Sequence, residues 1–365
     1  MYNSSILNSK IFTLLRICAV FLTLTAFSIP AFSQEEHAEG PEKKFEPSEV
    51  ILEHIADSHS LHIIGHSHLP LPVIVYTDKG LEMFSSARFA HEEEGAHEAE
   101  AAGVYKGANY NYKLVNDKVK IVNEAGEVDE AATSKLYDFS ITRNVVSMWM
   151  SIIFLLLIFL TVASAYKKRE GKAPKGLQSF IEPIILFVRD DIARPNIGYK
   201  YQRFMPLLLT VFFFIWINNL IGLVPFFPGG ANLTGNIAVT LVLSVITLFV
   251  VNLNGNKHYW QHVFVPADVP GWIWPLWWVI ELVGIISKPF ALMIRLFANI
   301  TAGHIIVLSL ISLIFVFKSF AIAPVSVAFV VFMDVLELLV AALQAFIFTL
   351  LTALFIGTAI EEHHH

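Results

Sequence analysis

Charged side chains within apolar sequence are the strongest indication of chemistry in this chain. Arg295 lies in residues 287–309, SKPFALMIRLFANITAGHIIVLS, which are otherwise apolar enough for a membrane helix. An arginine at the centre of a membrane costs from about 3 to more than 10 kcal/mol, so it must face a partner or a water-filled path. Because arginine stays protonated at physiological pH, it can repel a cation or pair with a carboxylate but cannot relay a proton by titrating.

Two titratable side chains flank Arg295 on the same predicted helix. Glu281 precedes it and His304 follows it, and both side-chain types titrate near neutrality when their surroundings shift them. Along a helix they lie about 21 Å and 14 Å on opposite sides of the arginine. This arrangement indicates two half-channels separated by a positive barrier, so a moving partner must carry the proton between them.

The helical repeat places these polar side chains on different faces. Glu281, Lys288, Arg295 and Asn299 fall within about 40° of one another, whereas His304 lies about 180° away. One face can therefore meet a partner while the other meets the next helix of the chain.

That next apolar helix contains two acids and an amide, Asp334, Glu337 and Gln344. Counting outward from a turn near position 320 brings Gln344 level with Arg295 and Glu337 level with His304 in an antiparallel hairpin. A buried histidine and glutamate in contact titrate as a coupled unit, which suits a site of proton uptake, with Asp334 as a possible lining residue. The alternative is a buried hydrogen bond with a structural role only.

Composition defines the class of protein. Hydrophobic residues make up 55% of the chain and charged residues 15%, which indicates a polytopic membrane protein rather than a soluble enzyme. The net charge of −6 is concentrated in one segment, so it does not indicate a nucleic-acid partner. We predict an all-α polytopic membrane protein with five membrane helices, a long tilted C-terminal helical hairpin, and a small soluble N-terminal domain of α/β or β class.

Changes in composition divide the chain into six segments. They are a signal peptide (1–33), a periplasmic domain rich in histidine and acids (34–140), a first transmembrane helix with a basic cytoplasmic loop (141–176), an amphipathic interfacial helix (177–202), a transmembrane hairpin (203–254) and a tilted helical hairpin with the proton path (255–365). A helix covering 275–317 is too long for one upright span, so it must be strongly tilted or broken, and Pro289 offers a kink. We interpret residues 254–271 as a loop.

The first segment has the order of features typical of a secretory signal. An apolar run at 17–29 follows basic residues and precedes a small-x-small site at 31–33; the alternative is an uncleaved anchor helix. The only cysteine, Cys18, lies in that run, so disulfides and cysteine metal sites are excluded from the processed chain. Residues that follow a cleaved signal would be periplasmic in a bacterium.

The periplasmic segment should contain a small β unit. Alternating runs at 72–84 and 110–122 predict strands, the second a hairpin around Asn116 and Asp117, while residues 90–102 predict an acidic helix or linker. The His66-Ser67-His68 sequence could bind a transition metal, but no spacing defines a coordination shell. We therefore predict a solvated, pH-responsive surface, with no metal or cofactor.

The topology follows from the distribution of basic residues. The run 145–166 can cross a hydrocarbon core of about 30 Å, and the lysines and arginine that follow it predict a cytoplasmic loop. Counting the spans 204–224 and 237–253 and the final long hairpin leaves the C-terminus in the cytoplasm of a bacterial inner-membrane protein.

Polar residues in the predicted transmembrane hairpin have two interpretations. Asn218 and Asn219 lie near the outer end of one span, and Asn236, Thr240 and Ser244 recur at every fourth position of the other. Such residues often provide hydrogen bonds between membrane helices. They could equally line an aqueous half-channel.

Four sequence segments carry a family resemblance. NNLIGLVPF, SKPFALMIRLFANITAGH, LQAFIFTLLTALF and the closing IEEH occur in this order between residues 203 and 363. They resemble subunit a of the membrane sector of rotary F-type ATP synthases, here a bacterial form with an extra periplasmic domain. The resemblance implies partners: a ring of c subunits, the subunit b stalk and the rest of the synthase, within a lipid bilayer.

The resemblance also implies roles for individual residues. Arg295 would be the essential charge facing a carboxylate of the c-ring, with Asn299 and Gln344 as its polar neighbours. The cytoplasmic half-channel would contain Glu281 and Ser287. The periplasmic half-channel would contain His304 and Glu337.

Three departures from the family pattern are visible. His304 and Glu337 are interchanged relative to many bacterial members, an arrangement similar to the mitochondrial one. Gly222 stands where some relatives have an acid. The periplasmic domain lies outside the usual pattern, so the resemblance assigns it no function.

Two other function classes fit part of the sequence. A proton-coupled secondary transporter also uses intramembrane charges but would normally show internal repeats, which we do not find. A membrane-anchored periplasmic metal-binding protein would leave Arg295 and Glu337 unexplained. No phosphate-binding GxxxxGK[ST] loop occurs, so nucleotide chemistry should belong to partner subunits and the chain alone should not be an enzyme.

Overall fold

The structure is a computed structural model. It describes residues 57–64, 67–89, 103–115, 117–224, 232–265, 270–317 and 322–361. The predicted signal peptide, the acidic tract 90–102, His66 and Asn116 lie outside the described residues. The backbones of His62 and His68 are paired across a hairpin, and no group of three metal-ligating side chains occurs within the described ranges.

The N-terminal domain consists of short antiparallel strands, a 3-10 turn at Ser86–Phe89 and one short α-helix. Strands β1 (Ser60–Ile64) and β2 (Ser67–Pro70) pair with each other. One three-stranded sheet has the order β4-β3-β8 and the other the order β5-β6-β7. Their bounds are β3 Pro72–Thr77, β4 Gly80–Ser85, β5 Val104–Lys106, β6 Asn111–Val115, β7 Lys118–Val122 and β8 Tyr137–Asp138. Helix α1 (Glu130–Thr133) is capped by Asp129, whose side chain accepts from the Ala132 N–H.

Both alternating runs form hairpins. The predicted hairpin around Asn116 and Asp117 is present as β6–β7, and Asp117 has a φ of 57°. The run at 72–84 is also a hairpin, β3–β4, rather than one strand, because the chain turns at Asp78 and Lys79. Gly80, which follows this turn, has a φ of 124°, a conformation that glycine adopts without steric cost. The inward side chains of these strands form a core with Val73, Val75 and Tyr112 at its centre.

The rest of the described chain is helical. The helices are α2 (Arg143–Lys168), α3 (Leu177–Phe187), α4 (Arg194–Ile197), α5 (Tyr201–Gly222), α6 (Ile237–Leu253), α7 (Lys257–Phe264), α8 (Trp274–Phe317) and α9 (Ala323–Ile360). A π-helical segment, Val188–Ala193, joins α3 to α4.

Within the described residues, four helical segments are long and apolar enough to cross a membrane. The number becomes five if α6 and α7, bent by 100° at their junction, are one broken span. The predicted polytopic helical fold with a small β-containing N-terminal domain is therefore confirmed. Helices α3 to α5 follow one another so closely that residues 177–222 form one candidate span, so the interfacial position of 177–202 stays a prediction.

Helix α8 has 44 residues, and α9, which packs against it, has 38. At 1.5 Å per residue α8 is about 66 Å long, roughly twice the hydrocarbon thickness of a bilayer. It continues through Pro289 without interruption. The sequence left open whether this helix is tilted or broken, and in the structure it is unbroken. Strong tilt is then required if its apolar length is to stay within a membrane.

The segment predicted as a loop at 254–271 contains α7, and that prediction is wrong for these eight residues. The helix is held at both ends. Asn256 donates from its backbone N–H to the Ala359 carbonyl (2.8 Å) and from Nδ2 to the Ile360 carbonyl (2.6 Å). Trp277 and Trp278 donate their indole N–H groups to carbonyls at the other end. Helix α7 thus connects the start of α8 to the end of α9.

Candidate functional site

The predicted contact between His304 on α8 and Glu337 on α9 is present. Nε2 of His304 lies 3.6 Å from Oε1 of Glu337. The Glu337 side chain is 6% exposed and that of His304 is 22% exposed. The two groups therefore meet inside the hairpin, on the side of α8 away from Arg295.

Glycine at position 303 makes this contact possible. A Cβ added to Gly303 would lie 2.9 Å from Oε1 of Glu337 and 3.0 Å from its Cδ, closer than side-chain atoms normally approach. The carboxylate therefore occupies the space that a larger residue would fill. This feature was not predicted from the sequence.

Oε1 of Glu337 is buried and has no hydrogen-bond partner among the described residues. Leaving a buried acceptor unpaired costs about 1–3 kcal/mol, and more for a charged group. Asp334, half-buried, lies three residues earlier and therefore on the same side of α9. The unpaired oxygen beside His304 is the position where a proton or the imidazole N–H would be bound.

The Gly303 contact gives a direct prediction. Gly303→Ala should displace the Glu337 carboxylate from His304 and lower the ATP-driven proton pumping that the family resemblance implies by about tenfold, or 1.4 kcal/mol in the barrier. Gly284→Ala is a matched control on the same helix, because a Cβ there meets no atom within 4 Å. Both changes gain the same helix propensity. Equal pumping by the two variants, measured as acidification of inverted vesicles, would contradict the role of the Gly303 contact.

Arg295 and Asn299 share an exposed face of α8. Both are exposed, whereas Leu292, Leu296 and Ile300 on the other side are buried against the rest of the bundle. No hydrogen bond or ion pair joins Arg295 to another described residue. The division of α8 into two faces agrees with the helical repeat of the sequence, and the arginine is available to a partner chain.

Gln344 is buried on α9, with 3% exposure. Two contacts define the register of the hairpin on either side of it: His304 with Glu337, and Lys288, whose Nζ lies 5.7 Å from the ring centroid of Phe355. Interpolation between them places Arg295 level with about position 347, less than one helical turn from Gln344. The predicted alignment of Gln344 with Arg295 is therefore close to the alignment in the structure. A side-chain contact between the two residues stays a prediction.

The other two predicted residues on α8 lie towards its start. Glu281 is half-exposed, and Ser287 is exposed and donates from Oγ to the Gly284 carbonyl (3.1 Å). The Ser287 hydroxyl is therefore paired within its own helix.

A small, mostly apolar cavity lies near these residues and was missed in the sequence. Its volume is about 20 Å³, room for about one water molecule, and Asn252, Tyr259, Lys288 and Thr358 contribute to its lining. The Tyr259 hydroxyl donates to Oδ1 of Asn252 (3.1 Å). The amide of Asn252 at the end of an apolar helix was the available sequence signal.

The polar residues of the transmembrane hairpin are mostly engaged in structural hydrogen bonds. Asn219 donates from Nδ2 to the Ala341 carbonyl on α9 (3.2 Å) and accepts from the Thr234 hydroxyl (2.6 Å). Asn236 caps α6, accepting from the Ala238 N–H at 2.9 Å. These bonds support the interpretation of both asparagines as links between and within helices.

Other polar side chains of that hairpin, including Ser244, Thr240 and Asn218, are buried and donate only to carbonyls of their own helices. The Thr240 hydroxyl donates to the Ile237 carbonyl of its own helix (3.1 Å). Nδ2 of Asn218 donates to the Phe214 carbonyl (2.7 Å), and its Oδ1 is buried without a partner among the described residues. Of the candidate lining residues in this hairpin, Asn218 has the acceptor best suited to bind water.

Comparison with known proteins identifies the family. The family model described as ATP synthase A chain matches residues 145–357, which include α2 to most of α9. The chain belongs to the ATP synthase subunit a family. The resemblance noted in the sequence is thus confirmed, and the match also includes the first membrane helix. A separate family, a domain of unknown function, matches residues 50–139.

Individual relatives of this family support the same assignment. ATP synthase subunit a of Chloroherpeton thalassium is 50% identical over 234 residues, which cover 63% of this chain and 69% of the relative. Subunit a of Chlorobium phaeobacteroides (strain BS1) is 48% identical over 239 residues, covering 63% and 68%. ATP synthase subunit a 2 of Prosthecochloris aestuarii is 43% identical over 285 residues, covering 76% and 87%.

Proposed function

We propose that this chain is the proton-conducting stator subunit a of a bacterial F-type ATP synthase. The observation that carries the proposal is the two-sided helix α8. It presents Arg295 and Asn299 on an exposed face and holds His304 against buried Glu337 on the other. The family match supplies the context in which a partner would meet the exposed face.

On this proposal, a proton from the periplasm reaches the pair formed by His304 and Glu337. From there it passes to a carboxylate of a c subunit. The neutralised carboxylate enters lipid at low cost, since the cost of burial falls when the charge is removed. After nearly a full turn of the ring, the same carboxylate releases its proton towards Glu281 and the cytoplasm. Ser287 and the cavity lined in part by Lys288 lie near that release route.

Arg295 gives the path its barrier and its direction. A charged c-subunit carboxylate is stabilised next to the guanidinium, and a free proton is repelled by it. A membrane potential contributes about 2.3 kcal/mol per charge per 100 mV, so several protons in one turn supply usable torque. Asn299, on the same exposed face, and Gln344, within one turn of Arg295, would orient the guanidinium.

The proposed assembly assigns nucleotide chemistry to other subunits. Subunit a would contact the c-ring through α8 and α9 and the subunit b stalk elsewhere, with no nucleic-acid partner. The N-terminal domain would be periplasmic and the C-terminus cytoplasmic in the inner membrane. The secondary-transporter alternative has no support from the family match, and the metal-binding alternative concerns only the N-terminal domain.

Purification of the complex tests the proposal. Affinity capture of the tagged full-length chain from its own mildly solubilised membranes should recover the catalytic subunits of an ATP synthase together with a small proteolipid ring, identified by mass spectrometry. An untagged strain is the control for non-specific recovery. Recovery of the chain without any ATP synthase subunit would contradict the proposal.

A further inference from the structure

One face of the sheet β4-β3-β8 carries apolar side chains that the described residues leave exposed. Side chains alternate along a strand, and on β3 Val73 and Val75 are fully buried in the domain core. Ile74 and Tyr76 therefore point to the opposite face. Tyr76 is 51% exposed.

Strand pairing gathers further apolar side chains beside these two. Ile74 is paired with Met83 on β4, and the Phe139 N–H donates to the Ile74 carbonyl (2.8 Å). Tyr76 is paired with Leu81 on one side and with Tyr137 on the other. We call this surface the outer sheet face. Its near row, which is closer to Pro72 and α2, consists of Ile74, Met83 and Phe139. Its far row consists of Tyr76, Leu81 and Tyr137.

The outer sheet face is large for an uncovered surface. Met83, Phe139 and Tyr137 are 64%, 65% and 63% exposed, and Leu81 is 59% exposed. Soluble monomers rarely expose contiguous apolar patches of more than a few hundred Å², and larger patches mark sites of contact with proteins or membranes. This surface is therefore expected to be covered in the cell.

Hydrogen bonds hold the sheet at the start of membrane helix α2. The Ile141 N–H donates to the Pro72 carbonyl (3.1 Å), and the Arg143 N–H donates to the Ser58 carbonyl (3.0 Å). The carboxylate of Asp57 accepts from the Thr142 hydroxyl (2.9 Å) and from the Asn144 N–H (3.0 Å). The sheet is consequently fixed to the helix by hydrogen bonds and is not joined to it only by a flexible linker.

These connections limit the distance between the near row and the lipid. The near row is two residues from Pro72, or about 7 Å along β3. Thr142 lies three residues before Val145, where the apolar run of α2 begins, a rise of about 4.5 Å. Phe139 of the near row is three residues, at most about 10 Å, from Thr142, so the near row is at most about 15 Å from the hydrocarbon edge. A sheet that leans towards the membrane brings this row into the headgroup layer, which is about 5–8 Å thick.

We propose that the outer sheet face lies against the lipid headgroups of the leaflet in which α2 begins. Its tyrosines, phenylalanine, methionine and aliphatic residues are of the kinds that occupy a membrane interface, where an aromatic ring is apolar at one end and wet at the other. The face is attached to a helix that itself exposes a large aromatic side chain near its start, because Trp149 in the second turn of α2 is 51% exposed. This inference concerns the N-terminal domain and does not depend on the proposed function.

Fluorescence quenching by lipid tests this contact. The full-length chain with Cys18→Ser is placed in nanodiscs of phosphatidylcholine and phosphatidylglycerol, with bimane attached at Met83→Cys or Phe139→Cys. Lys118→Cys, an exposed position at the start of β7 in the other three-stranded sheet, is the matched control. With a doxyl group at headgroup depth, both outer-face labels should lose about half of their fluorescence or more, because quenching requires contact with that layer.

The control label should keep its fluorescence in doxyl lipid and be quenched by aqueous iodide. Two outer-face positions are used so that poor insertion of one variant does not decide the result. The proposal is overturned if neither outer-face label is quenched by lipid more than Lys118→Cys. Quenching of these labels by iodide would then indicate a face exposed to water. Protection from iodide would indicate a face covered by protein, and either outcome contradicts contact with lipid.

Discussion

Replacing Arg295 by alanine is expected to abolish ATP-driven acidification of inverted membrane vesicles while the complex remains assembled. A carboxylate about 4 Å from the guanidinium, at an effective dielectric constant near 20, is stabilised by about 4 kcal/mol. This corresponds to a factor of about a thousand in the equilibrium between charged and neutral ring sites. The measurement is the pumping rate at equal complex content, determined by native gel electrophoresis.

Two control variants separate the charge of Arg295 from its shape and its position. Arg295→Lys keeps the charge but loses the planar, forked guanidinium, so pumping should fall without being abolished. Lys288→Ala removes another exposed cation two turns away on the same face of α8. Because Lys288 lines the cavity near the release route but does not face the ring carboxylate, pumping should fall less than in Arg295→Ala. Undiminished pumping by Arg295→Ala would mean that the proton path lies elsewhere, and the roles assigned along α8 would have to be withdrawn.

Exchanging His304 and Glu337 as a pair is expected to preserve more proton pumping than either single change. His304→Glu places two carboxylates together and Glu337→His places two imidazoles together, so each single variant should lose about tenfold or more, equivalent to at least 1.4 kcal/mol. The double variant restores one acid and one base at the same 3.6 Å contact. Pumping by the double variant should therefore recover at least part of this loss.

This exchange tests whether the chemical pair, rather than the position of each group, is what matters. The room provided by Gly303 allows a ring at position 337 to approach α8. Passive proton conduction through membranes stripped of the catalytic sector gives an independent readout, since it needs no nucleotide hydrolysis. If the double variant pumps and conducts protons no faster than the two single variants, His304 and Glu337 are not an interchangeable pair.

The helical hairpin was predictable because a helix has a constant rise. Counting from the turn brought His304 level with Glu337 without any knowledge of packing. The helical repeat likewise grouped Arg295 with Asn299, which are both exposed, and separated them from His304, which meets Glu337. These predictions used only quantities that vary little from one helix to another.

Contacts that depend on packing between distant segments were not predictable in this way. Nothing near Asn219 in the sequence indicates that its amide binds a carbonyl on α9, 122 residues away. The space at Gly303 is visible only when the Glu337 side chain is in place. Pro289 offered a kink in a helix that could be tilted or broken, and the helix continues through it, as membrane helices can when neighbouring groups satisfy the freed carbonyl.

Local signals were missed in two places. The Asp78-Lys79-Gly80 sequence is a turn signal that splits the run at 72–84 into two strands. Helix α7 is short and lies between Gly255 and Pro266, so its sequence was interpreted as a loop. Its tertiary bonds to the end of α9 stabilise a helix of eight residues, which would be marginal in isolation.

The length of α8 has a consequence for timing in the proposed motor. A rod of about 66 Å confined to an apolar layer of about 30 Å must lean by about 60°. Glu281 and His304, about 35 Å apart along that rod, would then be displaced by about 30 Å in the plane of the membrane. Helices pack about 8–10 Å apart, so the two residues would serve ring sites several positions apart, and each rotational step would load one site while another unloads.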